Sequence, residues 1–179
     1  MILEGSGLTL LQASVTLAVI CGLGLFYYLM DMTRQSPRRV QIQGKAFTMP
    51  DMRFHYTPAA LYAALDAMGA ENRPRMKRYW LLDFGFILCL LGVMLSIDLN
   101  VDGPATTLYL VMGGIAIARA VLDALENILL LRLYRAYPVK RNRLAAFAGY
   151  VTSLKFLCLY AWVALLFIKL FTRAFGITG

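Results

Sequence analysis

The chain has 179 residues, of which 60% are hydrophobic and only 16% are charged, and its mean hydropathy is +0.64. Soluble domains average about 25% charged residues, so this composition excludes an ordinary soluble domain and indicates a membrane protein. A net charge of +8 would suggest nucleic acid in a soluble protein. Here the basic residues follow the loops between apolar segments, so no nucleic-acid partner is expected.

Four stretches are long and apolar enough to cross a hydrocarbon core, which takes about 20 residues of helix. They cover residues 8–30, 79–97, 105–131 and 144–171. The first has no basic segment before it and no small-residue cleavage site after it, so it is predicted to be a retained helix. The predicted fold class is all-α, with four transmembrane helices in a bundle that forms a single membrane domain over residues 1–179.

The distribution of Lys and Arg predicts the orientation of these helices. Nine basic residues lie in the loop 31–78 and five in the loop 132–143, whereas the opposite side holds Arg173 alone. By the positive-inside rule both loops are predicted to be cytoplasmic and both termini to lie outside, in a multi-pass protein of the cell membrane. The basic loops are also expected to attract anionic lipid headgroups.

A short helix is predicted within the first basic loop. Thr57-Pro58 is typical of a helix start, and Gly69 is typical of a helix end. Between them three apolar residues recur at the spacing of one helix face: Leu61, Leu65 and Met68. The pattern predicts a cytoplasmic amphipathic helix over about 58–68 that lies against the membrane surface or the ends of the spans.

The third span carries a polar stripe. Its members recur at i, i+4, i+7 and i+8 and therefore share one helix face: Arg119, Asp123, Glu126 and Asn127. Ionisable groups inside a spanning helix are costly and normally face a protein partner or a wet cavity, so the polar stripe is a candidate site for a substrate or a proton relay.

The third and fourth spans form a predicted hairpin about the Tyr137-Pro138 turn. Asp123 lies as far before this turn as Lys155 lies after it, so antiparallel helices place the two at the same depth. We therefore expect an ion pair between Asp123 and Lys155, and the same count sets Glu126 level with Thr152. Small residues on both spans, such as Ala120 and Gly149, predict close packing of the two backbones.

Two further residues are candidates for the same roles. Asp83 lies shallow in the second span, where water or a basic loop residue such as Arg78 is expected to satisfy it. His55, the single histidine, precedes the short helix as a candidate acid–base group or pH sensor. The turn after the second span is expected to be solvated, including Asp98.

Metal and cofactor sites are not expected. The cysteines all lie in apolar spans without the spacing of metal ligands: Cys21, Cys89 and Cys158. No nucleotide-binding or hydrolase motif is present in the sequence, so nucleotide-driven and hydrolytic functions are poor explanations.

Five short motifs carry a resemblance over residues 56–156. They are Y-T-P-x-x-L-Y (56–62), G-x-E-N-R (69–73), L-L-D-F (81–84), D-A-L-E-N (123–127) and S-L-K-F (153–156). The set resembles uncharacterised small four-helix bacterial integral membrane proteins. That resemblance implies the same helical architecture without an established activity, and it selects five positions: Asp83, Asp123, Glu126, Asn127 and Lys155.

Three functions are compatible with these features. The favoured one is a non-enzymatic protein that binds a lipid or a protein partner, in a homo- or hetero-oligomer or alone, through its polar interior and basic cytoplasmic face. The second is a proton-linked small transporter that uses Asp123 and Glu126, and the third is a lipid-modifying enzyme with these residues as an acid–base pair. Two acids balance two bases in the cluster with Arg119 and Lys155, so a purely structural role in helix pairing also fits.

Overall fold

Four long helices make up most of the computed structural model, which describes residues 4–34, 41–42, 45–46, 50–102 and 107–176. In chain order the long helices are α1 (Glu4–Arg34), α2 (Pro58–Asp102), α3 (Thr107–Ala136) and α4 (Asn142–Ala174). Between α1 and α2 lie two short antiparallel strands, β1 (Gln41–Ile42) and β2 (Lys45–Ala46), and a 3-10 helix (Pro50–Met52). The loop residues 38 and 39, counted above as basic, lie outside the described residues.

Each long helix contains a candidate membrane span. The spans are Gln12–Asp31, Pro74–Val101, Thr107–Ala136 and Asn142–Ala174. The all-α prediction and the four apolar spans are therefore confirmed, and the molecule is consistent with a multi-pass membrane protein. The last three spans are longer than predicted because their helices continue past the apolar residues into polar residues: the second and fourth at both ends, the third only toward the basic loop 132–143. Residues 105 and 106, predicted to open the third span, lie outside the described residues.

The first helical segment of α2 ends where the sequence predicts. Gly69 adopts φ 65° and ψ 168°, a conformation that glycine reaches without the steric penalty of a Cβ. Before it, three apolar side chains are buried in the core: Leu61, Leu65 and Met68. The hydroxyl of Tyr62 accepts a hydrogen bond from the backbone N–H of Arg141 at 2.5 Å, which ties this segment to the α3–α4 turn. Its cytoplasmic placement stays a prediction.

The helices pack in a defined order, with α1 against α2 and with α3 between α2 and α4. Two apolar cores result. One, at the end of the bundle that carries residues 50–57, includes Leu65, Trp80 and Leu130. The other, toward the opposite end, includes Met112 and Trp162. The polar stripe of α3 lies between the two cores along the helix, so its charged groups are held at a fixed depth by apolar packing on both sides.

Residues 54–56 are fixed to the side of α4. A Cβ built on Gly149 would overlap the carbonyl oxygen of Tyr56, so the nearest group for which Gly149 makes room is this loop. The small-residue pattern predicted instead that Gly149 makes room for the backbone of α3. The Nδ1 atom of His55 lies 3.1 Å from the Gly149 carbonyl oxygen and 3.0 Å from the Ser153 hydroxyl. That hydroxyl lies 3.0 Å from the Phe54 carbonyl oxygen, to which it donates. These contacts set the position of the 3-10 helix that precedes them.

Candidate functional site

Lys155 occupies the centre of a buried ionic network. Its Nζ atom lies 2.7 Å from Oδ1 of Asp123 and 2.5 Å from Oε2 of Glu126. Asp123 and Lys155 thus meet at the depth that counting along the hairpin predicts. The contact forms because the α3–α4 turn is short and both helices are regular, so residues equally far from the turn face each other.

The rest of the polar stripe completes the network around this centre. Nη2 of Arg119 donates to Oδ2 of Asp123 at 2.6 Å, one helical turn away. The hydroxyl of Thr152 donates to Oε1 of Glu126 at 2.5 Å, as the predicted common depth requires. Glu126 is fully buried. Charge-assisted hydrogen bonds of this kind offset part of the cost of removing ions from water.

Asp83 joins the network from α2. It is buried and accepts a hydrogen bond from the side-chain amide of Asn127 at 2.7 Å. The expectation that Arg78 satisfies Asp83 is wrong, because Arg78 is exposed and the amide of Asn127 takes that place. The reason is the rotation of α2: Asp83 shares its face with buried residues at helical spacing and therefore points at α3. These residues are Met76, Tyr79 and Ile87.

Asp51 is a member of this site that the sequence analysis missed. It comes from the 3-10 helix and is 6% exposed. Burial, followed by the negative charge of Glu126, raises the pKa of Asp51 to about 7, against an opposing effect of Lys155. A signal was present, since Asp51 is the single acidic residue between Asp31 and Asp66 in an otherwise basic loop.

Tyr56 connects the loop to the same network. Its side chain is buried, and burial together with the charge of Glu126 raises the pKa of the Tyr56 hydroxyl above its usual range. The phenol therefore stays neutral. Asp51 is accordingly faced by two acidic residues of α3, Asp123 and Glu126, and by Lys155 of α4.

Two predicted polar residues lie elsewhere. His55 is exposed and contacts α4 through the bonds described above, outside the ionic network. Asp98 was expected to be solvated, but it is fully buried and accepts a hydrogen bond from Nε1 of Trp162 at 3.1 Å. That prediction is wrong because α2 continues to residue 102, so Asp98 lies on the helix face that packs in the second core.

A cleft of about 270 Å³ opens beside the network. It is lined by residues of all four long helices and of the 3-10 helix. Its polar lining is Asp51, Asp83, Arg119, Asp123 and Lys155, and its apolar lining includes Tyr79, Phe86, Phe156 and Leu159. Tyr27 of α1 and Met52 also line it and are 55% and 46% exposed, so they mark the opening of the cleft.

The cleft combines charged side chains with apolar walls, an arrangement that has room for a polar group beside the charges. Among the residues that the structure describes, no group of three or more His, Cys, Asp or Glu side chains is placed to hold a metal ion. Arg119, Asp123 and Lys155 are instead held by one another, which fixes the positions of these three charges in the cleft wall. Such preorganisation lowers the entropic cost of binding.

Comparisons of the chain with family models, with curated proteins and with solved structures give no match. The resemblance to small four-helix bacterial membrane proteins therefore stays a prediction, and the site is interpreted from its own geometry.

Proposed function

We propose that this chain is a multi-pass membrane protein that binds a lipid headgroup in its cleft without chemically changing it. The observation that carries this proposal is the position of the buried ionic network, which forms one wall of a partly open cleft in an otherwise apolar bundle. Charged walls suit a headgroup, and the exposed rim at Tyr27 and Met52 offers a path for the acyl chains toward the surrounding lipid.

The depth of the cleft supports the same function. Asp51 and Met52 belong to the segment between α1 and α2 and line the cleft directly, so the cleft lies near the loop end of the bundle. With the loops 31–78 and 132–143 on the cytoplasmic side, as we propose, a headgroup of the cytoplasmic leaflet reaches the cleft without crossing the membrane. The basic loops add a general attraction for anionic lipids on that face.

The contacts of the two central acids favour binding over catalysis. Asp123 and Glu126 both hold Lys155, and Glu126 is fully buried. A general acid or base must come within hydrogen-bond reach of the atom whose proton it transfers. Carboxylates held in this way serve better as fixed charges than as an acid–base pair.

Proton-linked transport is a second candidate because Asp51 is a buried acid in the cleft lining, where burial and the charge of Glu126 raise its pKa to about 7. A carboxyl group with this pKa changes its charge near neutral pH and lies within the field of Glu126, Asp123 and Lys155. Its test is proton entry into liposomes under a pH gradient, read with a trapped pH-sensitive dye. The candidate requires entry that Asp51→Asn abolishes, and an absence of entry in the wild type would exclude it.

A cleft-filling variant tests the proposed function. Leu159→Trp places a large side chain in the cleft, whereas Leu157→Trp, two residues away on α4, changes a side chain that is 52% exposed. Native mass spectrometry of each protein in neutral detergent with added phospholipid is expected to show lipid bound to the wild type and to Leu157→Trp. Leu159→Trp should lose that lipid. Equal binding by both variants would refute the proposal.

A further inference from the structure

The charges around the cleft are unbalanced. Four carboxyl groups meet two cationic groups: Asp51, Asp83, Asp123 and Glu126 against Arg119 and Lys155. Both cations are bound to Asp123 or Glu126. Asp83 has only the neutral amide of Asn127 as its hydrogen-bond partner in the described residues, and Asp51 forms no ion pair there. The two carboxyl groups nearest the loop end therefore favour a cation in the cleft.

Two polar atoms point to the rest of the ligand. Oδ1 of Asp51 and Nη1 of Arg119 are buried and have no hydrogen-bond partner in the part of the chain that the structure describes. Both residues are more than nine-tenths buried and line the cleft. Buried polar atoms are costly unless they are paired. A ligand that satisfies both must carry a hydrogen-bond donor for Asp51 and an oxygen acceptor for Arg119.

We infer that the group bound in the cleft is a zwitterion with a primary ammonium and a phosphate. The ammonium donates to Asp51, with the charge of Asp83 close by, and the phosphate oxygens accept from Arg119 and face Lys155. The inference rests on the proposed function and names its ligand class. A volume of about 270 Å³ equals roughly nine water volumes of about 30 Å³ each, which accommodates a headgroup of the phosphoethanolamine type.

The unpaired acceptor also decides between primary and quaternary amines. Oδ1 of Asp51 needs a donor hydrogen, which a primary ammonium has and a trimethylammonium lacks. The aromatic side chains of Tyr79, Phe86 and Phe156 in the lining would accept either cation. Phosphatidylcholine, with the same charges and no N–H, is therefore a matched control for phosphatidylethanolamine.

The test is a lipid titration of the full chain in maltoside micelles at about pH 8, above the pKa of about 7 at Asp51, so that this carboxyl group is ionised. It is read by native mass spectrometry. Phosphatidylethanolamine, phosphatidylcholine and phosphatidylglycerol with identical acyl chains are compared, and only binding that Leu159→Trp removes is counted as cleft binding. We expect phosphatidylethanolamine to bind about tenfold more tightly than the other two, the factor that one hydrogen bond to a charged group supplies.

Variants of two acidic residues show whether Asp51 causes the preference for phosphatidylethanolamine. Asp51→Asn should bring phosphatidylethanolamine close to the affinity of phosphatidylcholine, whereas Asp66→Asn, an exposed acid outside the cleft, should leave the preference intact. The preference of the wild type is measured without Asp51→Asn, so it remains decisive if that variant does not fold. Free phosphoethanolamine is titrated in parallel, and binding as tight as that of the lipid would support the ammonium and phosphate chemistry with a soluble source.

Failure of the inference differs from failure of the proposed function. Equal cleft binding of phosphatidylethanolamine and phosphatidylcholine, or tighter binding of phosphatidylglycerol, would overturn the zwitterion while leaving lipid binding in place. Binding that Leu159→Trp does not alter for any of the lipids or for phosphoethanolamine would overturn both.

Discussion

Removal of Lys155 tests how the ionic network is held together. In Lys155→Met, Asp123 keeps its bond to Arg119, whereas Glu126, which is 0% exposed, keeps the Thr152 hydroxyl but loses its ion-pair partner. Breaking a buried ion pair by removing one member costs about 3–5 kcal/mol. For a chain of this size that loss lowers Tm by roughly 6–20 °C.

Two double-mutant cycles show where this cost arises. Adding Glu126→Gln to Lys155→Met removes the stranded charge and should recover much of the lost stability, with a coupling energy toward the upper part of the usual range of about 0.5–3 kcal/mol. Adding Asp123→Asn to Lys155→Met should recover less stability than adding Glu126→Gln, because it leaves the buried Arg119 without its carboxylate partner. Thermal unfolding in one detergent measures all variants. Lys77→Met, at an exposed position, is a control expected to change stability by no more than about 0.5 kcal/mol.

The result that would refute this reasoning is additivity. If Lys155→Met and Glu126→Gln add within about 0.5 kcal/mol, the buried pair contributes no specific coupling and the network is not held by Lys155. A larger coupling of Lys155 with Asp123 than with Glu126 would show that Arg119 does not compensate for Asp123 in the way the geometry requires.

Three further predictions concern stability. Gly149→Ala should lower Tm because the new Cβ overlaps the carbonyl oxygen of Tyr56, whereas Gly114→Ala places its Cβ in open space and should leave Tm unchanged. Equal changes in Tm for the two variants would contradict the contact between the loop and α4. Trp162→Phe should cost about 1–3 kcal/mol because buried Asp98 loses the indole donor, so an unchanged Tm would argue against that bond. For Asp51 the pKa of about 7 in the folded state exceeds the ordinary value of 3.8. Between about pH 4 and pH 7 the folded state therefore keeps a proton that the unfolded state releases. Because of this difference, the free energy of unfolding falls as pH rises through that range. Asp51→Asn should flatten this fall in Tm, and parallel pH profiles would contradict the shift.

Features that depend on distance along one helix could be predicted from the sequence. The four spans follow from apolar length, and the contact of Asp123 with Lys155 follows from equal distances to a short turn, since each helical residue adds a fixed rise. The end of the first α2 segment at Gly69 follows from glycine's backbone freedom. These are local properties, so no knowledge of the remaining chain was needed.

Features that depend on how separate segments meet were not predictable in the same way. Asp51 enters the site because residues 54–56 pack on α4 at Gly149, a contact between segments more than 90 residues apart. The amide partner of Asp83 depends on the rotation of α2, and the burial of Asp98 depends on how far that helix continues. Each is decided by tertiary packing, which overrides local pattern.

The most direct test of the central claim is photo-crosslinking in native membranes. A benzoyl-phenylalanine in place of Phe156 lies in the cleft lining, and the same residue in place of Phe147, 52% exposed on α4, samples the lipid outside the bundle. The account predicts that position 156 captures chiefly phosphatidylethanolamine while position 147 captures phospholipids in their membrane proportions. Capture of no lipid at position 156, or of the same mixture at both positions, would contradict a lipid headgroup in the cleft.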